Sequence, residues 1–130
     1  MKYEIKSIDH LVLTVKDISK TVEFYTTILG MQKEIFKENR VALKFGCQKI
    51  NLHQWGEEFE PKALNVKQGS ADLCFITQTD IVEFKNYIES LGVPIVEGPV
   101  ERTGAMGEIN SIYLRDPDGN LIEISNYIYF

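Results

Sequence analysis

The chain has 130 residues, 44% of them hydrophobic and 25% charged, with a formal net charge of −5. Length and balance together describe a single globular domain, 1–130, able to bury a sizeable core. Its 14 Lys and Arg are scattered with no basic stripe, which argues against nucleic acid as a partner, and no apolar run approaches the ~20 residues of a membrane helix.

The opening Met1-Lys2-Tyr3-Glu4-Ile5-Lys6 has no apolar h-region, so a secretory signal is not expected and a cytoplasmic location is. Ser7 to Val15 is rich in β-branched and apolar residues and predicts a strand. Alternation puts Ile8, His10 and Val12 on one face and Leu11, Leu13 and Val15 on the other, which should meet a helix. Asp17 is a candidate N-cap; Ile18, Val22, Tyr25 and Leu29 then recur at helical spacing up to Gly30. Strands are expected at Met31–Phe36, Arg40–Phe45 and Lys49–Gln54. Trp55 to Gly69 is polar and aperiodic and reads as the connection between two halves.

The pattern then restarts. Ser70 to Thr77 is a strand, Asp80 a second cap, and Ile81, Phe84, Tyr87, Ile88 and Leu91 a second amphipathic helix stopped at Gly92. Further strands are expected at Ile95–Glu97, Ile109–Arg115 and Leu121–Tyr127, the last two joined by the turn Asp116-Pro117-Asp118-Gly119-Asn120. An offset of 62 places Leu11 on Leu73, Tyr25 on Tyr87, and Leu29-Gly30 on Leu91-Gly92. Each half therefore reads βαβββ, over roughly 5–56 and 69–128, in an α+β fold. One such unit leaves a sheet face open, so two are expected to shelter a shared concavity. Cys47 and Cys74 form no CxxC pair and are expected to be buried free thiols.

The opening Ile8-Asp9-His10-Leu11-Val12-Leu13-Thr14-Val15, then Phe24-Tyr25 and Leu29-Gly30-Met31, together with the closing Tyr113-Leu114-Arg115-Asp116-Pro117-Asp118-Gly119-Asn120-Leu121-Ile122-Glu123, resemble the glyoxalase/bleomycin-resistance/dioxygenase (vicinal oxygen chelate) superfamily. The resemblance covers nearly the whole chain and is nearest to small, uncharacterised glyoxalase-domain proteins. It implies two βαβββ modules forming a half-open β-barrel with helices outside. It also implies a divalent ion (Zn, Ni, Mn or Fe) that stabilises an oxyanion beside a second oxygen, in lyase or isomerase chemistry through an enediolate. A small-molecule substrate, such as an oxygenated metabolite or its thiol adduct, and a homodimer are implied as well.

The resemblance assigns ligand roles to His10 on the first strand and Glu123 on the last. Taken without it, His10 reads as a hydrogen-bonded strand residue and Glu123 as an outward-facing carboxylate. On the fourth strand Asn51 and His53 share a face, and the two halves align there with an ambiguity of two residues. His53 is the better donor by chemistry and completes the expected set of His10, His53 and Glu123; the alternative puts His53 at the rim, acting on substrate. The repeat maps His10 onto Asp72, where the superfamily commonly has His or Gln, so Asp72 is either a ligand or an outer acceptor. Glu123 or Asp72 is the expected general base. Arg102, beside the glycines of Glu101–Gly107, is a candidate grip for a substrate anion, and Trp55 a candidate cavity lip with Phe59. Two other functions stay open on this scaffold: a metal-free antibiotic-binding protein of the bleomycin-resistance kind, and an extradiol dioxygenase or thiol transferase.

Overall fold

Ten elements follow one another over residues 3–129, which the computed structural model describes. They are β1 (His10–Val15), α1 (Ile18–Thr27), β2 (Gln32–Phe36), β3 (Arg40–Phe45), β4 (Gln48–Gln54), β5 (Asp72–Ile76), α2 (Ile81–Ser90), β6 (Glu97–Thr103), β7 (Glu108–Arg115) and β8 (Leu121–Tyr127). The βαβββ order occurs twice, and the chain divides into two compact units at Met1–Gln68 and Gly69–Phe130.

Each unit is a four-stranded mixed sheet, ordered β1-β4-β3-β2 in the first and β5-β8-β7-β6 in the second. The first and last strands of a unit run parallel, and the others pair as antiparallel hairpins. The fold is α+β with two open sheets and no closed barrel. No helix among the described residues is long and apolar enough to cross a membrane.

Both helices start where the sequence places a carboxylate cap. The Asp17 side chain accepts from Lys20 N, and Asp80 accepts from Val82 N and Glu83 N, pairing backbone donors that a helix start leaves open. Each helix lies on one face of its own sheet. In the first unit Tyr25 of the helix and Val15, Leu43, Ile50 and Leu52 of the sheet are buried; in the second, Ile81 and Ile88 of the helix and Ile112, Leu114, Ile122 and Ile124 of the sheet. The alternation read from β1 holds, since Leu13 and Val15 are buried while His10 and Val12 are exposed.

The DPDGN turn is an anchored structure. Asp116 Oδ1 accepts from Asp118 N and Asn120 N at 2.9 Å, and Asn120 Oδ1 accepts from Ala71 N at 2.8 Å. The turn between β7 and β8 is thereby tied to the entry of β5, which sets the β5–β8 register and so the depth of Glu123.

Two expectations are corrected. Cys47 and Cys74 are free, as read, but both are exposed: one lies in the β3–β4 turn and the other on the face of its sheet opposite the helix. The sixth strand runs from Glu97 to Thr103, well beyond the expected Ile95–Glu97. Gly98 and Pro99 read as breakers, yet a register irregularity between Glu97 and Val100 absorbs them on an edge strand, where proline is tolerated.

Candidate functional site

Each sheet turns one face to its helix, and the candidate site residues lie on the other face. In the first unit the register pairs His10 with Lys49, Val12 with Asn51 and Thr14 with His53, so these six side chains share the helix-free face. Ala42 lies opposite Asn51 on β3, and Arg40 opposite Phe36 on β2. Phe59, from the connection after β4, closes over this face with its ring edge-on to His53 at 5.5 Å. The Arg40 guanidinium lies 4.4 Å from the Phe59 ring centroid and 5.4 Å from that of Phe36, and its Nη2 is 3.5 Å from His53 Nε2. A cavity of about 400 Å³ opens here, lined by the polar Thr14, His53 and Lys62 and the apolar Val12, Pro61, Ala63 and Val66.

His53 is only 3% exposed, and burial pushes its pKa below the usual value, assisted by the charges of Arg40 and Lys62 and opposed by Glu58. The imidazole is therefore neutral at pH 7. Because Arg40 can only donate, a hydrogen bond at this distance requires Nε2 to accept, which is the tautomer with the proton on Nδ1. That Nδ1 is buried with no partner, as is the Oδ1 of Asn51. His10, in contrast, is exposed, and its Nδ1 bonds Asp9 Oδ1 at 2.9 Å.

In the second unit the helix-free face carries Asp72, Cys74 and Ile76 of β5, Glu123 and Ser125 of β8, and Ser111 and Tyr113 of β7. The Ser111 hydroxyl donates to Glu123 Oε2 at 2.6 Å and lies 2.6 Å from Ser125 Oγ, which is itself 3.4 Å from Cys74 Sγ. Although Cys74 is exposed as a residue, its sulfur is enclosed enough that burial raises the thiol pKa, and the Glu123 charge adds to the rise. Burial also raises the Tyr113 phenol, against the lowering effect of Arg102. Arg102 already donates to Tyr113 Oη, Glu101 O and Glu97 Oε1. Its fork is committed to its own sheet. A second cavity of about 400 Å³ is lined by Cys74, Ile76, Arg102, Ile109, Tyr113 and Glu123, among others.

The two registers resolve the ambiguity on the fourth strands. His10 pairs with Lys49 and Asp72 with Leu121, so the residues two steps further on, Asn51 and Glu123, are counterparts. His53 corresponds to Ser125. Thus His10 and Asn51 are diagonal neighbours on one sheet, with Val12 directly beside Asn51, and Asp72 and Glu123 are diagonal on the other, with Cys74 directly beside Glu123, while His53 lies a further row along, beside Arg40. Trp55 follows β4, half exposed, with its backbone N–H on Val15 O at 2.8 Å. Among the described residues no group of three or more His, Cys, Asp or Glu side chains is gathered closely enough to hold a metal ion. Sequence reasoning did not find Arg40, Ser111 or Tyr113. The last two were accessible from it, since counting back across the DPDGN hairpin from Glu123 places Tyr113 and Ser111 on the same face.

Relatives agree with this architecture. The glyoxalase/bleomycin resistance protein/dioxygenase superfamily matches residues 7–124. The chain is 64% identical over 124 residues to the virulence protein STM3117 of Salmonella typhimurium, covering 95% of this chain and 86% of that one. The crystal structure of that protein superposes with a TM-score of 0.96 over 97% of this chain and 100% of the other, at 63% identity. The glyoxalase domain-containing protein RDO1 of Mycosarcoma maydis is 55% identical, over 95% of this chain and 69% of its own length. The metallothiol transferase FosB of Staphylococcus haemolyticus is 31% identical, over 92% and 83% respectively. The chain belongs to the glyoxalase/bleomycin resistance protein/dioxygenase superfamily.

Proposed function

We propose that the protein is a divalent-metal-dependent enzyme of lyase or isomerase type, acting on a small oxygenated metabolite or its thiol adduct. One observation carries this reading: both ligands that the superfamily resemblance assigns have an outer hydrogen-bond partner of the kind metal ligands have. Asp9 holds His10 Nδ1, which leaves Nε2 for a cation, and Ser111 holds Glu123 Oε2, which leaves Oε1. The unpartnered, buried Oδ1 of Asn51 supports the same reading, being an amide oxygen at the position equivalent to Glu123. Each unit then offers a donor pair, His10 with Asn51 and Asp72 with Glu123.

That set is rich in oxygen, and of the four candidate ions it suits manganese(II) best. When bound, such an ion supplies Lewis acidity to an oxyanion. Glu123 is the proposed proton acceptor. Its neighbours Cys74 and Tyr113 stay neutral at pH 7, so neither competes with it for charge. Ser111 fixes the carboxylate's rotation, and Asp72, exposed on the neighbouring strand, is the second acceptor. His53 is assigned to substrate rather than to the ion, because Arg40 and Lys62 beside it disfavour a cation.

Calorimetric titration of Mn²⁺ into EDTA-treated protein tests the proposal. Stoichiometric binding is expected, abolished by His10→Ala or Glu123→Gln and weakened roughly 10- to 100-fold by Ser111→Ala. Failure of the unaltered protein to bind Mn²⁺, Zn²⁺, Ni²⁺ or Fe²⁺ would overturn it, and the metal-free binder would take its place.

A further inference from the structure

The helix-free face of the first unit carries a concentration of positive charge that the chain as a whole does not. The net charge is −5, yet Arg40, Lys49 and Lys62 gather around Phe36, Phe59 and His53. Glu58 opposes them through its 3.3 Å pair with Lys62, and Glu34, opposite Ala42 on β2, is a second carboxylate on the same face. Arg40 is held in place by two aromatic rings and donates to nothing stronger than the His53 ring at 3.5 Å, the long limit of a hydrogen bond. Its fork is available, unlike that of Arg102.

His53 supplies an independent observation. It is 3% exposed, lines the 400 Å³ cavity, and keeps a buried Nδ1 without a hydrogen-bond partner, a donor in the tautomer that lets Nε2 accept from Arg40. A buried donor left unpaired costs about 1 to 3 kcal/mol, so such a group is normally satisfied by something. Of the rest of the lining, Val12, Pro61, Ala63 and Val66 are apolar, and the Thr14 hydroxyl, on the strand beside His53, makes no hydrogen bond to the ring.

We infer that this cavity is a recognition subsite for a small anion, a carboxylate or phosphate attached to an apolar or aromatic body. The anion is taken by Lys62 of the lining and by Arg40, which stands behind it at His53 Nε2 and does not itself line the cavity; the body lies against Val12, Pro61 and Val66, and the His53 ring fixes the orientation. Arg40, Lys62 and His53 are thus specificity-determining residues. The inference does not need the metal, and it names the substrate class that an enzyme or a binder of this fold would take.

The probes are benzoate and phenyl phosphate, with benzyl alcohol as the neutral analogue, added to the full EDTA-treated chain at constant ionic strength. The sequence has only two histidines, so ring resonances in ¹⁵N NMR are assigned by comparison with His10→Ala. Saturable movement of the His53 ring signals and a raised Tm with one or both anions, and neither with benzyl alcohol, is expected. Benzoate binding more tightly points to a carboxylate and phenyl phosphate to a phosphate ester; either supports the subsite. Arg40→Gln and Lys62→Gln should each weaken the anion about tenfold or more. Lys20→Gln, on α1, should not. Should Arg40→Gln fail to fold, Lys62→Gln and the charge-keeping Arg40→Lys carry the test. Benzyl alcohol binding as well as the anions, still His53 signals with both anions, or unchanged affinity in the charge-removing variants would each overturn the inference. Because metal is absent throughout, a failed metal titration leaves this result untouched, and the reverse also holds.

Discussion

At the scale of single residues, Glu123 is defined by what surrounds it. Ser111 and Ser125 supply hydroxyls, and Cys74 lies directly opposite on β5. Burial is the main reason the Cys74 thiol resists ionisation, and the adjacent carboxylate is a further one. Both act against the thiolate, so the pH–rate midpoint for alkylation should lie above that of a free thiol. Removing the carboxylate charge removes one of the two opposing effects. With Cys47→Ser to isolate the signal, and EDTA present, Glu123→Gln should lower the iodoacetamide midpoint; an unmoved midpoint would mean that the two groups are not coupled. His10 and Glu123 were legible because each sits in a run of strand residues beside a recognisable motif. Arg40 was not, since its significance comes from Phe59, which approaches from nineteen positions along the chain. The Asn51–His53 ambiguity had a similar origin: composition cannot count residues around a hairpin of unequal length, whereas a hydrogen-bond register can.

At the scale of elements, the helices and their caps were readable from Asp17, Asp80, Gly30 and Gly92, because capping is a local contest between side chain and backbone. The sixth strand was not. Gly98 and Pro99 are strong local breakers, and only the pairing of β6 with β7 shows that a bulge accommodates them. Gly98 has φ of +113°, and a Cβ there would collide with Ser111 O and sit 2.8 Å from Ile112 Cα. Backbone on the neighbouring strand cannot yield as a side-chain tip would. Gly98→Ala should therefore cost on the order of 3 kcal/mol, seen as a lower chemical-denaturation midpoint. It should also disturb Ser111 and hence Glu123, so lost metal affinity is expected alongside lost stability. A fall of less than ~0.5 kcal/mol would show the bulge to be pliant.

At the scale of the whole molecule, duplication separates what is shared from what is specialised. The two units repeat their strand order, helix placement and parallel closing pair, and they diverge on the helix-free faces. One face pairs imidazole and amide with a cluster of cations; the other pairs two carboxylates with serine hydroxyls. The sequence repeat made the shared part visible, because core positions tolerate only apolar residues at fixed spacing. The specialised part depends on contacts across strands, which no spacing records.

The parallel pairing of each unit's first strand with its last also favours an order of assembly. The hairpins β2–β3–β4 and β6–β7–β8 join strands adjacent in the chain, whereas β1 and β5 each pair with a strand that lies beyond a helix and two further strands, a longer loop to close. Both late strands occupy sheet edges, with one neighbour each, and both carry residues assigned here to the chemistry: His10 and Asp72. Native-state hydrogen exchange should find the amides of β1 and β5 opening before those of β3 and β7, and bound ligand should slow those two strands most. The reactive side chains would then ride on the last pieces to lock and the first to loosen, so occupancy of the site and closure of each sheet become one equilibrium.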